Sequence, residues 1–103
     1  MKKGDRLPLL SGKEALILEM LAAAPDSYGL QLVEASDGRL KRGTVYVTLG
    51  RMEDKGYVSA RPETPRPEAI GLPRRRYRAT ALGRRLLEAR RVVERVLAWG
   101  GAR

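Results

Sequence analysis

Residues 40 to 58, LKRGTVYVTLGRMEDKGYV, carry Val45, Leu49 and Met52 at i, i+4 and i+7, the spacing that lines up one buried edge of an α-helix. The same stretch is poor helix material. Gly43 and Gly50 each cost about 1 kcal/mol against alanine in a helix interior, and Thr44, Val45, Val47 and Thr48 are β-branched. Gly56 supplies a C-terminal stop, so the pattern predicts a helix over roughly residues 42 to 55. At 100° per residue, Gly43, Val47, Gly50, Arg51 and Asp54 point away from the apolar stripe, with Thr44, Thr48 and Lys55 on one flank and Tyr46 on the other. That outer face is smooth. Low helix propensity is the expected cost of bringing a backbone close to another surface. Hydroxyls from threonine and tyrosine, and an arginine fork, suit phosphates and base edges. Lys41 and Arg42 add charge where this helix begins.

A chain of 103 residues builds one compact domain around one modest core. Its net charge of +9 is attracted to polyanions, either nucleic acid or an acidic membrane. The charge is uneven: residues 74 to 103 hold ten arginines against two glutamates, and the first 73 residues are nearly neutral. With no cysteine and no histidine, the chain lacks disulfides, the usual zinc ligands and the commonest general base near neutral pH. That composition speaks against an enzyme, and it implies neither a metal nor a cofactor. No apolar run approaches a membrane span, and Lys13, Glu14 and Glu19 break the N-terminal apolar run as no signal peptide would. The expectation is a soluble cytoplasmic protein with no membrane partner.

Punctuation divides the rest of the chain. Ser11 and Glu14 make the S-x-x-E capping box and Pro25 marks a stop, which predicts a first helix over about residues 12 to 24. Asp26 or Ser27 can cap a short second helix, YGLQLVEAS, ending at the Asp37-Gly38 turn. After the helix of residues 42 to 55, YVSAR (57 to 61) and RRYRAT (75 to 80) alternate as strands and should pair as an antiparallel hairpin. The connection between them holds Pro62, Pro65, Pro67 and Pro73 and is too long for a tight turn, so a projecting loop is expected, with Arg66 a candidate contact. Thr80 can cap a final helix. In it Leu82, Leu86, Ala89, Val93 and Val96 recur at alternating spacings of four and three, and Leu87, Val92 and Leu97 widen the stripe beyond what one small domain needs. A partner helix is the natural complement, and a wide stripe on the chain's own core is the plainer reading.

The order of elements is that of a winged helix-turn-helix: mostly α with a small two-stranded β-wing, residues 1 to 80, followed by a C-terminal dimerisation helix, residues 81 to 103. In that geometry the second helix of the motif enters the major groove while the wing reaches adjacent backbone or minor groove. The weak helix and the arginine hairpin then share one explanation.

Three segments, in order and at matching spacing, resemble the PadR family of bacterial transcriptional regulators: LILEMLAAAPDSYGLQLVE, RGTVYVTLGRMEDKGYV and RRRYRATALGRRLL. The likeness runs from about Leu16 to Leu87. It implies a homodimeric regulator, usually a repressor, that binds double-stranded DNA at a palindromic operator and dimerises mainly through its last helix. Carried over by position, it implies DNA contacts from Thr44 and Tyr46 and from Arg74, Arg75 and Arg76 in the wing. It also allows a small-molecule effector between the helices of the dimer, for which Trp99, the single aromatic of the last helix, is the only local sign.

The candidate DNA-binding set is therefore Lys41, Arg42, Thr44, Tyr46, Val47, Thr48, Arg51, Arg74, Arg75 and Arg76. The dimerisation set is Leu82, Leu86, Ala89, Val93, Val96 and Leu97. Plainer readings stand beside these: Tyr46 as a half-buried packing residue, Arg51 and Lys55 as solvated charges, Tyr28 and Tyr77 as packing, and Gly29 and Gly83 as points of close helix approach. The competing function is a winged-helix module that binds a protein or structured RNA without reading DNA sequence.

Overall fold

The computed structural model describes residues 10 to 63 and 74 to 100. Its elements run α1 (Gly12–Ala23), β1 (Ser27–Tyr28), α2 (Gly29–Ala35), α3 (Arg42–Asp54), β2 (Val58–Pro62), β3 (Arg75–Ala79) and α4 (Ala81–Gly100). The expected long connection, with Arg66, lies outside the described residues.

α1 begins at the expected capping box. The Ser11 hydroxyl accepts from the Glu14 amide at 3.2 Å, and the Glu14 carboxylate accepts from the Ser11 amide at 2.8 Å. The helix buries Ile17, Leu18 and Leu21 at the centre of the core, where Leu32, Leu40, Val58 and Leu87 meet them.

The entry to α2 departs from expectation. Neither Asp26 nor Ser27 caps it: the Ser27 hydroxyl is spent on the Ala24 carbonyl at 2.6 Å, and the Asp26 carboxylate on Arg78. Asp26 itself takes a left-handed backbone, φ 62°, which turns the chain so that Ser27 and Tyr28 lie against β3, pairing with Tyr77 and Arg76. The wing hairpin is therefore part of a three-stranded antiparallel sheet in the order β1-β3-β2. Extended Tyr28 is the residue that precedes α2, and Gln31 reaches back to accept from its amide at 2.8 Å.

Between α2 and α3 the chain turns through left-handed Asp37 and Gly38, as the dipeptide predicts. The fully buried Ser36 holds that turn, its hydroxyl donating to the Val33 carbonyl at 2.7 Å and accepting from the Leu40 amide at 2.9 Å. In α3 the stripe Val45, Leu49 and Met52 is completely buried, each 0% exposed. The helix ends at Gly56, φ 80°, with the Tyr57 amide reaching back to the Met52 carbonyl and the Gly56 amide to that of Glu53, a left-handed C-terminal motif that favours glycine.

β2 and β3 pair in the register Val58–Ala79, Ala60–Tyr77 and Pro62–Arg75. Thr80 caps α4 by accepting from the Gly83 amide at 3.0 Å. Gly83 is where α4 crosses the chain after α3: a Cβ there would lie 2.2 Å from the Tyr57 carbonyl oxygen. Leu87 is buried and Leu86 packs partly against the core, so Leu87 anchors α4 to its own domain and Leu86 serves that same contact. From Arg91 to Trp99 every side chain is exposed. The stripe of Leu82, Ala89, Val93 and Val96 is a separate, uncovered face, with Val96 63% and Trp99 81% exposed.

Candidate nucleic-acid interface

α3 presents the face that its composition anticipates. Gly43, Val47, Arg51 and Asp54 are exposed and Gly50 is half-buried. A Cβ at Gly43 or Gly50 would meet nothing within 4 Å, so neither glycine is demanded by packing inside the chain. Val47 is 53% exposed, an apolar side chain in the middle of that face. Thr44 and Thr48 sit half-buried on the α1 flank, and the Thr48 hydroxyl donates to the Thr44 carbonyl at 3.0 Å. Its proton is thus used within the helix and its lone pairs remain available. Lys41, Arg42 and Arg51 are exposed and have no carboxylate partner among the described residues. Lys55 is different: its ammonium reaches Glu14 at 2.8 Å, tying the end of α3 to the start of α1.

On the opposite flank, the Tyr46 ring rests against the start of α2 at Gly29. A Cβ at Gly29 would come 2.6 Å from its ring, so Gly29 is what lets the ring lie there. Half of Tyr46 stays exposed, and with Tyr28, Gly29, Arg74, Arg75 and Tyr77 it lines a cleft of about 640 Å³ between α2, α3 and β3.

Strand alternation divides the arginine run that the sequence groups together. Arg75 leans toward α3, where one guanidinium nitrogen, Nη2, donates to both carboxylate oxygens of Glu53, at 3.3 and 3.0 Å. Arg74 and Arg76 lie over the Tyr28 ring instead, 5.2 and 4.7 Å from its centre. The Glu63 carboxylate accepts from both the Tyr28 hydroxyl, at 2.7 Å, and Arg76, at 2.9 Å, which raises the Arg76 pKa further. Asp26 gathers the remaining strand arginines, with Arg78 at 2.6 Å and Arg61 at 4.0 Å; the hydrogen bond from Arg78 holds the Asp26 pKa below its usual value. Tyr77 is buried, and that burial raises its phenol pKa against the opposing charge of Arg75.

Ten candidates thus fall into three groups. Lys41, Arg42, Thr44, Val47, Thr48 and Arg51 share the outer half of α3; Tyr46 and Arg75 line the seam between α3 and the wing; Arg74 and Arg76 sit on Tyr28. Sequence reasoning missed the carboxylates that hold the wing, Asp26, Glu53 and Glu63. Period-two alternation could have separated Arg75 from its neighbours, but nothing local in the chain pairs residues 22 or 52 positions apart. Among the described residues no acidic group gathers to hold a metal, and no helix is long and apolar enough to cross a membrane.

A helix-turn-helix whose wing hairpin pairs with a short strand before α2, with an open α3 face beside it, invites comparison with known proteins. The family profile described as "Transcriptional regulator PadR-like family" matches residues 17–89. The chain belongs to the PadR-like family of transcriptional regulators. Solved structures agree: a PadR family regulator from Clostridium difficile R20291 superposes with a TM-score of 0.69 at 28% identity, over 82% of this chain and 88% of that one. A PadR family regulator from Eggerthella lenta DSM 2243 gives 0.70 at 27% identity, over 87% and 78%. The PcaV regulator of Streptomyces coelicolor, solved with its natural ligand, shares the fold at a TM-score of 0.67 and 17% identity, over 91% of this chain and 63% of that one. No curated protein matches the sequence. The PadR-like match covers nearly the same span as the motif-level resemblance, from α1 through the wing and into α4.

Proposed function

We propose that this PadR-like regulator is a cytoplasmic, non-enzymatic homodimeric repressor that binds a palindromic operator in double-stranded DNA. α3 enters the major groove and the seam beside the wing rides on the adjacent backbone. The observation that carries this reading is the open outer face of α3: two glycines at which a Cβ would meet nothing within 4 Å and a valine 53% exposed, flanked by Lys41, Arg42 and Arg51, which have no carboxylate partner among the described residues. Thr44, Tyr46, Val47 and Thr48 are within that surface or on its edges and supply the hydroxyl and methyl groups that base edges and phosphates take. Arg74, Arg75 and Arg76 contribute from the wing, Arg75 nearest to α3. The uncovered stripe of α4, with Leu82, Ala89, Val93, Val96 and Leu97, is the self-association surface; Leu86 contributes where it emerges from the core. Two α3 helices about 34 Å apart would then meet successive turns of one groove.

The test is selection of bound duplexes from a random library at about 150 mM salt, where screening weakens indiscriminate attraction. Enrichment of one inverted repeat, bound by two chains, supports the proposal. Recovery of unselected sequence refutes it and favours a module for protein or structured RNA. That second reading draws its support from the wing: Arg61, Arg75, Arg76 and Arg78 already have carboxylate partners within the chain. One chain bound per RNA hairpin would be its signature.

A further inference from the structure

An acid on a surface that meets a polyanion weakens binding unless it does something else there. Glu53 is such an acid. It lies on the same flank of α3 as Tyr46, seven residues away and therefore nearly in line along the helix, and both face β3. The pair it makes with Arg75 is, among the described residues, the side-chain ion pair that links α3 directly to the wing. Both carboxylate oxygens are satisfied by the same nitrogen, Nη2. A guanidinium is planar and rigid, so holding its Nη2 against both oxygens of one carboxylate restricts where the other N–H groups point. The Arg75 side chain remains half exposed, with the Nη1 edge unclaimed by Glu53. Arg74, which rests on a tyrosine face with no carboxylate partner among the described residues, has no such restraint.

We infer that Glu53 is a positioning residue, which holds the Arg75 guanidinium in the one orientation that grips a backbone phosphate when α3 is in register, and so sets sequence discrimination at the expense of general affinity. Phosphate contacts fix register without reading bases, and an arginine free to swing would grip the backbone in any register. Glu53 also removes one unit of attraction from the +9 chain. Electrostatics alone and positioning therefore predict different outcomes when the carboxylate is neutralised. This rests on the proposal that α3 and the wing bind DNA.

The experiment compares wild type, Glu53→Gln, Arg75→Ala and the double variant by fluorescence anisotropy. Each is titrated at several salt concentrations with the duplex enriched from the random library and with a scrambled duplex of equal composition. Glu53→Gln is expected to tighten the scrambled duplex roughly two- to fivefold through its added net positive charge. It should weaken the selected duplex about tenfold through loss of an oriented charge-assisted contact. On the Arg75→Ala background, Glu53→Gln should shift both duplexes equally. Equal tightening of both duplexes by Glu53→Gln alone overturns the inference and leaves Glu53 a simple source of repulsion; no change in either overturns it also. An undiminished loss of selectivity in the Arg75→Ala background shows that Glu53 acts by another route. If wild type prefers no duplex, the DNA-reading proposal itself fails and takes this one with it. A preferred duplex with an unchanged selectivity ratio sinks the inference alone.

Discussion

Replacing Gly50 by alanine should make this protein more stable and worse at its task. Gly50 is the ninth of thirteen residues in α3, has no positive φ, and a Cβ built on it meets nothing within 4 Å. Alanine therefore gains helix propensity with no packing cost, about 1 kcal/mol, in good part by restricting the unfolded chain. For a domain of this size that raises Tm by about 4 to 8 °C. Gly43, second in the helix, should gain less because its backbone is in the first turn. In the proposed DNA complex the same methyl group would stand where the α3 backbone approaches the groove. Losing or lengthening one good base contact costs about 1 to 3 kcal/mol, so affinity for the selected duplex should fall roughly five- to hundredfold. Thermal unfolding by circular dichroism, at matched protein concentration, and anisotropy titration read the two effects separately. A higher Tm with unchanged affinity would refute the idea that this face approaches DNA. A lower Tm would refute the simpler claim that the face is open.

Gly83→Ala should do the reverse of Gly50→Ala: its Cβ would press on the Tyr57 backbone carbonyl, which cannot swing aside, and overpacking of this kind costs about 1 to 3 kcal/mol or more, seen as a Tm lowered by several degrees. At Glu14, burial alone would raise the pKa, but hydrogen bonds from Lys55 and the Ser11 amide and the Lys55 charge bring it below the ordinary 4.5. Its contribution is therefore complete above pH 4.5 and is lost as pH falls through the lower folded value. Glu14→Gln should cost about 1 kcal/mol at pH 7 and converge on wild type in strong acid, as urea unfolding at a series of pH values would show. Convergence at high pH would contradict that sign. Val93→Glu and Val96→Glu alter exposed positions, so the fold should survive with its Tm little changed. If those valines meet a second copy, losing their burial costs about 1 kcal/mol or more per chain. Sedimentation should then show a dimer constant weakened at least about tenfold, and an unchanged constant would move self-association elsewhere.

What the sequence made legible was local. The Ser11–Glu14 box, the Asp37-Gly38 turn, the Gly56 stop and the Val45–Leu49–Met52 stripe each depend on residues within a turn or two of one another, and each is found in the structure. Strand β1 was not legible because two residues carry no periodicity; Ser27 and Tyr28 are extended because β3 is beside them. Leu87 was misassigned to the widening of a stripe because periodicity reports that a helix has an apolar side, and cannot say which of two neighbours covers it. The wing arginines illustrate the same limit in charge. Their number was plain, but the acids that hold them arrive from α1's end, from α3 and from the far side of the wing, and only the fold brings Asp26, Glu53 and Glu63 to them.

The overhanging half of α4 bears on how such a regulator would respond to its own abundance. From Arg91 to Trp99 no side chain is covered by its own domain, so that stretch would gain packing from the proposed second copy, and an isolated helix that short is marginal in water. In a homodimer built on this overhang, ordering of the helix end, pairing of the chains and alignment of two reading helices become one event. While dimers are scarce, promoter occupancy then grows with the square of chain concentration, giving a cell a threshold where a monomeric binder would give a gradual slope.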